Sequence, residues 1–240
     1  MLGRQSMTMP NAGHTKNGVT ASDQRSTPGN AGHSANHDNY AMDDMVLKAM
    51  AKWPNVPDCY GWLGLDARGG WWMRDDRVQA LGSFGSAIEG SKGSLLQHEK
   101  LIDFINRNYA ADKQGQWFFQ NGPQRVYIEL QATPYVWRVQ SDFSLLAHTG
   151  LAARAQRCVI DEHGRVYMET EAGFGLVHTQ DVGLAADAVE SGLWVPQQEL
   201  AAQLPQHYGY VRSPQAMQQP QAMQQQAMQQ QAMQQQAMQQ

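Results

Sequence analysis

The sequence predicts an α+β fold: a small antiparallel sheet with one packed helix, then a β-rich roll or small barrel carrying short helices, with disordered tails at both ends. Three observations carry this prediction. The pattern Asp-x-x-Gly-x-(Trp/Val) occurs as Asp66–Trp71, Asp112–Trp117 and Asp161–Val166, its copies starting 46 and 49 residues apart. Asp opens a tight turn by bonding its own backbone, Gly supplies the positive φ, and a strand resumes. Next, Val126, Ile128 and Leu130 alternate with Arg125, Tyr127 and Glu129, the period of a strand with one buried face. Last, Leu95, His98, Leu101, Ile102, Ile105 and Tyr109 recur at helical spacing, so they share one face.

Taken in order, Asp43–Lys52 reads as a short helix closed by Trp53-Pro54. Tyr60–Leu65, the Asp66 turn and Trp71–Met73 make a hairpin. Gly82–Gly93 is a Gly- and Ser-rich loop, and Ser94 is the expected N-cap of a helix running to Tyr109. Trp117–Gln120 and Gln124–Gln131 form the second hairpin, around Asn121-Gly122-Pro123. Tyr135–Val139, Phe143–Leu146, Arg157–Ile160, Val166–Glu169 and Gly175–His178 read as short, closely spaced strands. Asp181 is the expected N-cap of a helix ending near Gly192. Pro196 opens another over about Gln197–Leu204, which Pro205 stops, and Tyr208–Val211 is a last strand.

The domain reading follows: 1–44 a disordered polar segment, 45–133 an α+β block, 134–213 a β-rich roll, and 214–240 a low-complexity tail. The seam falls at Thr133-Pro134. Residues 1–44 are too polar to bury themselves, and part of them reads as an over-long start, with Met42-Asp-Asp-Met45 a plausible natural N-terminus. The tail is five copies of Gln-Ala-Met-Gln-Gln interrupted by Pro220, a period of five that builds no continuous apolar stripe.

Residues 45–213 carry 15 Lys+Arg against 18 Asp+Glu, a net −3 that offers no broad basic field to nucleic acid or an anionic membrane. No apolar run reaches membrane-span length, and Cys59 and Cys158 lack partners at metal-ligand spacing. The expectation is a cytoplasmic protein with no cofactor and no metal.

Trp53-Pro-Asn-Val-Pro, Cys59–Asp66, Phe104-Ile-Asn-Arg-Asn-Tyr109 and Trp117-Phe-Phe-Gln-Asn-Gly-Pro-Gln-Arg-Val-Tyr127 resemble a family of uncharacterised proteobacterial proteins, known as a domain of unknown function. The resemblance covers about Met42 to Arg212. The order of turn, helix, turn, hairpin ending in Thr-Pro and β-rich second half is similar to another uncharacterised bacterial family, which implies a small α+β roll followed by a β-roll. Neither resemblance implies an activity.

Candidate chemistry is sparse. The positions alternating after Asp66 hold Arg68 and Gly70, and those after Asp112 hold Gln114 and Gln116, so no calcium loop is built. Glu99 and Asp103, one helical turn apart, lack further ligands and read as a solvated face. His14, His33 and His37, like the tail methionines, read as parts of low-complexity segments rather than metal sites. Gly82-Ser-Phe-Gly85 and Gly90-Ser-Lys-Gly93 lack phosphate-loop spacing; Lys92-Gly-Ser94 reads as a flexible insertion. His98 reads as a core-edge histidine. The leading reading is a non-enzymatic small-ligand-binding or regulatory module, for a small anionic ligand or a protein partner. Its expected patch is Arg107, Asn108, Arg125 and Tyr127, two guanidiniums beside an aromatic ring. The rival is a hydrolase-like enzyme using His148 or His178, which end two apolar strands.

Overall fold

The computed structural model describes residues 42–214. The expectations for the earlier polar segment and the Gln/Ala/Met tail lie outside the described residues. Helix α1 (Asp44–Lys52) is the first element of the described residues; β1 (Cys59–Leu65) and β2 (Trp71–Met73) form the first hairpin, followed by α2 (Asp76–Leu81) and β3 (Ser94–Leu95). Helix α3 (Glu99–Arg107) leads into β4 (Tyr109–Ala111), β5 (Trp117–Asn121) and β6 (Gln124–Leu130). Then come β7 (Tyr135–Val139), β8 (Leu145–Ala147), β9 (Ala152–Ala153), β10 (Ala155–Ile160), β11 (Val166–Thr170) and β12 (Gly173–Val177). A 3-10 turn at Thr179–Asp181, α4 (Val182–Glu190), β13 (Pro196–Gln198) and α5 (Leu204–His207) complete the α+β fold.

Two sheets result. The first has six strands in the order β3-β2-β1-β6-β5-β4; the second, curled into a half-barrel, has seven in the order β13-β10-β11-β12-β7-β8-β9. The first sheet is mixed rather than antiparallel: β1 and β6 pair in parallel, with an irregularity between Cys59 and Leu63 where Gly61 adopts φ +77°. A bulge there lets the strand bend without straining a side chain. The chain passes from one sheet to the other between Leu130 and Tyr135, yet one apolar cluster includes residues of both, from Leu63, Ile105 and Trp117 to Trp137, Tyr167 and Leu176. Phe104 of α3 meets Phe119 edge to face at 5.4 Å, and Trp117 meets Tyr135 at 5.1 Å across the junction.

The three Asp turns share one geometry. In each, the Asp amide bonds the carbonyl four residues on and the Gly amide bonds the Asp carbonyl (Asp66/Gly70 and Gly69/Asp66; Asp112/Gln116 and Gly115/Asp112; Asp161/Arg165 and Gly164/Asp161). Oδ1 of each Asp accepts two backbone amides, at 2.8–2.9 Å for Asp66 and 2.9 Å for the others. The glycines sit at φ +82°, +76° and +74°. This is a type I turn closed by a residue in the left-handed region. The same backbone bonds recur at Gln140–Ser144 and Ala147–Leu151, two copies with no Asp at the first position. In the former, Phe143 occupies the glycine position at φ +61°.

Five local expectations are corrected. Ser94 does not cap the helix: it pairs in β3 with Met73, and α3 begins after His98, whose Nδ1 accepts the Leu101 amide at 3.3 Å. Pro196 opens an edge strand parallel to β10 rather than a helix, a site where a missing N–H is tolerated. Pro205 lies inside α5, in its first turn. Asp181 precedes α4 without a capping bond; its carboxylate accepts Arg138 and the Val139 amide instead. Residues 208–211 form no strand, and Tyr208 stacks on Phe174 at 3.7 Å.

Candidate functional site

Alternation divides the first sheet into a core face and an outer face. Tyr60, Gly64, Trp72, Arg74, Phe118, Gln120, Arg125, Tyr127 and Glu129 fall on the outer one by register. Of the four predicted site residues, two are absorbed in fixing α1 to the end of α3. The Arg107 guanidinium bonds both Asp43 oxygens, at 3.3 and 3.4 Å, and together with a hydrogen bond from Asn108 Nδ2 holds the Asp43 carboxyl below its ordinary value against the opposing effect of burial. Asn108 is 1% exposed. Its Oδ1 accepts the Asp43 amide at 3.1 Å, and its Nδ2 donates to Phe104 O at 2.9 Å.

Arg125 and Tyr127 do stand together, on one face of β6. Tyr127 is buried, lies parallel on Tyr60 with centroids 4.6 Å apart, and donates its hydroxyl to Asp112 Oδ2 at 3.2 Å. Burial pushes its phenol up, as it pushes Tyr60 up to about 12. The two halves of the patch are separated by β5: Gln120, itself buried, bonds the Asn108 carbonyl on one side and pairs with Arg125 on the other.

The Arg125 guanidinium lies over the Phe118 ring at 4.7 Å and forms no ion pair among the described residues. Beside it is an open depression of about 350 Å³ lined by Ala111, Asp112, Lys113, Gln114, Phe118 and Arg125. Asp112 is already engaged there, since its Oδ2 accepts both Tyr127 and the Gln116 amide. What the depression offers a ligand is therefore two cationic side chains, an amide and an apolar floor. Lys113, Gln114 and Phe118 were missed as site residues because the second Asp turn reads as pure turn chemistry. Only pairing β5 with β6 brings Phe118 opposite Tyr127 and beneath Arg125.

The two rival histidines flank β7. The His148 amide bonds Val136 O and the His178 amide bonds Trp137 O. His148 Nδ1 accepts the Val136 amide at 3.3 Å, while its Nε2 is buried without a partner. Trp71, Tyr109 and Tyr135 surround the ring at 5.5, 5.8 and 6.2 Å. Burial pushes its imidazole down to about 3, although the Asp66 carboxylate opposes the shift. His178 Nδ1 accepts the Gln180 amide at 3.2 Å; partial burial, then Arg138, lowers its imidazole. Among the described residues no group of three or more His, Cys, Asp or Glu side chains is placed to hold a metal, and no helix is long and apolar enough to cross a membrane.

A family described as "Protein of unknown function (DUF2946)" matches residues 42–239. The chain belongs to this family. The family match extends past residue 212, where the sequence resemblance stopped, and takes in nearly all of the Gln/Ala/Met repeats. Two solved structures are similar to this family member. One is a DUF1285 family protein from Silicibacter pomeroyi DSS-3, 12% identical, at TM-score 0.38 over 61% of this chain and 85% of that one. The other is a DUF1285 family protein from Shewanella baltica OS155, 12% identical, at TM-score 0.33 over 52% of this chain and 91% of that one. No curated protein matches the chain.

Proposed function

We propose that the protein is a non-enzymatic binding module that takes a small anionic ligand with a planar or aromatic body in the depression beside Arg125. The supporting observation is the Arg125 guanidinium, stacked on Phe118 with no carboxylate partner among the described residues and facing a space also lined by Lys113 and Gln114. A guanidinium held over a ring and left without a carboxylate keeps donors available for bidentate bonding to a carboxylate or phosphate. Arg107 and Asn108, tied to Asp43, support the ligand only by fixing the scaffold. The free thiols of Cys59 and Cys158 are compatible with a reducing cytoplasm. The hydrolase reading has less support, since a His148 imidazole that stays neutral and buried at Nε2 is poorly placed to exchange protons with a substrate.

Thermal-shift screening of the full-length chain against carboxylated and phosphorylated aromatic metabolites tests the proposal. A true ligand at about a hundred times its Kd should stabilise by about 2.7 kcal/mol, a rise of several degrees. Arg125→Ala and Lys113→Ala should each remove that rise. A ligand that stabilises both variants as it does the native chain would place binding elsewhere and overturn the assignment.

A further inference from the structure

We infer that the depression beside Arg125 takes a ligand with a single negative charge, an aromatic carboxylate rather than a phosphate monoester. Asp112 is the residue that sets this limit, which rests on the binding function proposed above. Three ionic side chains line the space: Asp112, Lys113 and Arg125. Two cations against one acid leave a surplus of one positive charge.

Asp112 is fixed in the lining by four bonds. Its Oδ1 accepts the Gln114 and Gln116 amides, each at 2.9 Å. Its Oδ2 accepts the Gln116 side-chain amide at 3.1 Å and the Tyr127 hydroxyl at 3.2 Å. All four partners are donors, which is what an ionised carboxylate, accepting at both oxygens, satisfies. The turn that carries Lys113 and Gln114 is held by the first two bonds, so the acid cannot swing away from an incoming anion.

The two cations differ in what they face. Arg125 bonds the Tyr127 hydroxyl, which in turn donates to Asp112. Arg125, Tyr127 and Asp112 thus form a chain whose charges cancel, although the guanidinium keeps donors for a ligand. Lys113 is exposed and forms no ion pair among the described residues, so it is the surplus cation. Asp58, just ahead of β1, faces Tyr60 and Tyr127 and adds negative charge nearby. Attraction to a site grows in proportion to the charge of the ligand, whereas the cost of taking that charge out of water grows as its square. The first negative charge is balanced by Lys113. A second one would be matched by nothing and would meet Asp112 across the same small space.

Equilibrium titration of the full-length chain at pH 8 with 2-naphthoate, 2-naphthalenesulfonate and 2-naphthyl phosphate tests this limit. Sulfonate has the tetrahedral head of the phosphate with one charge, so it separates charge from shape. Naphthoate and the sulfonate should bind, and the phosphate, doubly charged at this pH, should bind about tenfold more weakly than the sulfonate. Asp112→Asn should raise the phosphate relative to the sulfonate by about tenfold. Its Oδ1 can keep the two turn amides, and its Nδ2 can donate to Gln116 Oε1, which is buried without a partner in the native chain. Should that variant fail to fold, the native chain at pH 5 decides. There the phosphate retains a proton, its second ionisation lying at about 6, and should match the sulfonate measured at the same pH. Phosphate binding as tightly as the sulfonate at pH 8, or a ratio that neither Asp112→Asn nor acid moves, would overturn the single-charge limit and leave binding at Arg125 standing. No binding by any of the three, or binding that Arg125→Ala leaves unchanged, would overturn the site and the limit with it.

Discussion

At Gly115 a side chain would meet the carbonyl oxygen of Gly209 at 2.1 Å, at Gly69 the Cβ of His148 at 2.7 Å, and at Gly164 nothing within 4 Å. All three have positive φ, so each resists a β-branched residue, but their surroundings rank them. Gly164→Val should cost about 1–2 kcal/mol for backbone strain alone. Gly69→Val and Gly115→Val should cost more, about 3 kcal/mol or above, because packed atoms must also move. Denaturant unfolding of the three variants checks the order, and equal losses would refute it. His148 provides a pH test. Burial holds its imidazole down at about 3 in the folded chain against an ordinary value of 6.5, so between those values the unfolded chain binds a proton that the folded chain refuses. Stability should fall as pH drops through that window, on the order of a few kcal/mol. His148→Asn, which keeps an acceptor for the Val136 amide, should flatten that part of the profile.

Elements were legible where the residues that dictate them sit close together in sequence. The Asp66, Asp112 and Asp161 turns each carry an acceptor and a glycine within four residues, and the structure builds all three alike. The turn at Gln140–Ser144 has the same bonds with no Asp at its first position and no glycine; Asp142, the third residue, supplies the side-chain acceptor for Ser144. Phe143 endures φ +61° there while its ring meets Trp194 at 6.2 Å. Phe143→Gly should therefore be more stable than Phe143→Ala by about 1 kcal/mol, both having lost the ring but only Ala retaining the strain; thermal melts of the pair decide. Ser94 misled because a capping residue type says nothing about the long-range pairing that claims it for β3. The site was illegible for the same reason. Arg107 meets Asp43 across 64 residues, and the parallel β1–β6 pairing that sets Tyr60 against Tyr127 has no local signal. Arg125 and Tyr127 were visible because alternation along a single strand puts them on one face.

On the scale of the molecule, the two blocks that the sequence reading divides at Thr133-Pro134 share their interior. Tyr109 donates its hydroxyl to Pro134 O at 2.9 Å, and the Leu176 amide bonds Thr133 Oγ1 at 2.9 Å, so the connection itself is buried and hydrogen-bonded. With a continuous core and a buried link, residues 42–214 should unfold as one unit. Tryptophan fluorescence and far-ultraviolet circular dichroism should trace coincident denaturant transitions; two separated transitions would show independent blocks. Both sheets also finish in very short strands: β3 and β9 have two residues each, β4 and β13 three. An open ladder that short gives another chain little to pair with. Although strands dominate its regular structure, the fold offers few sites where edge-to-edge aggregation can begin.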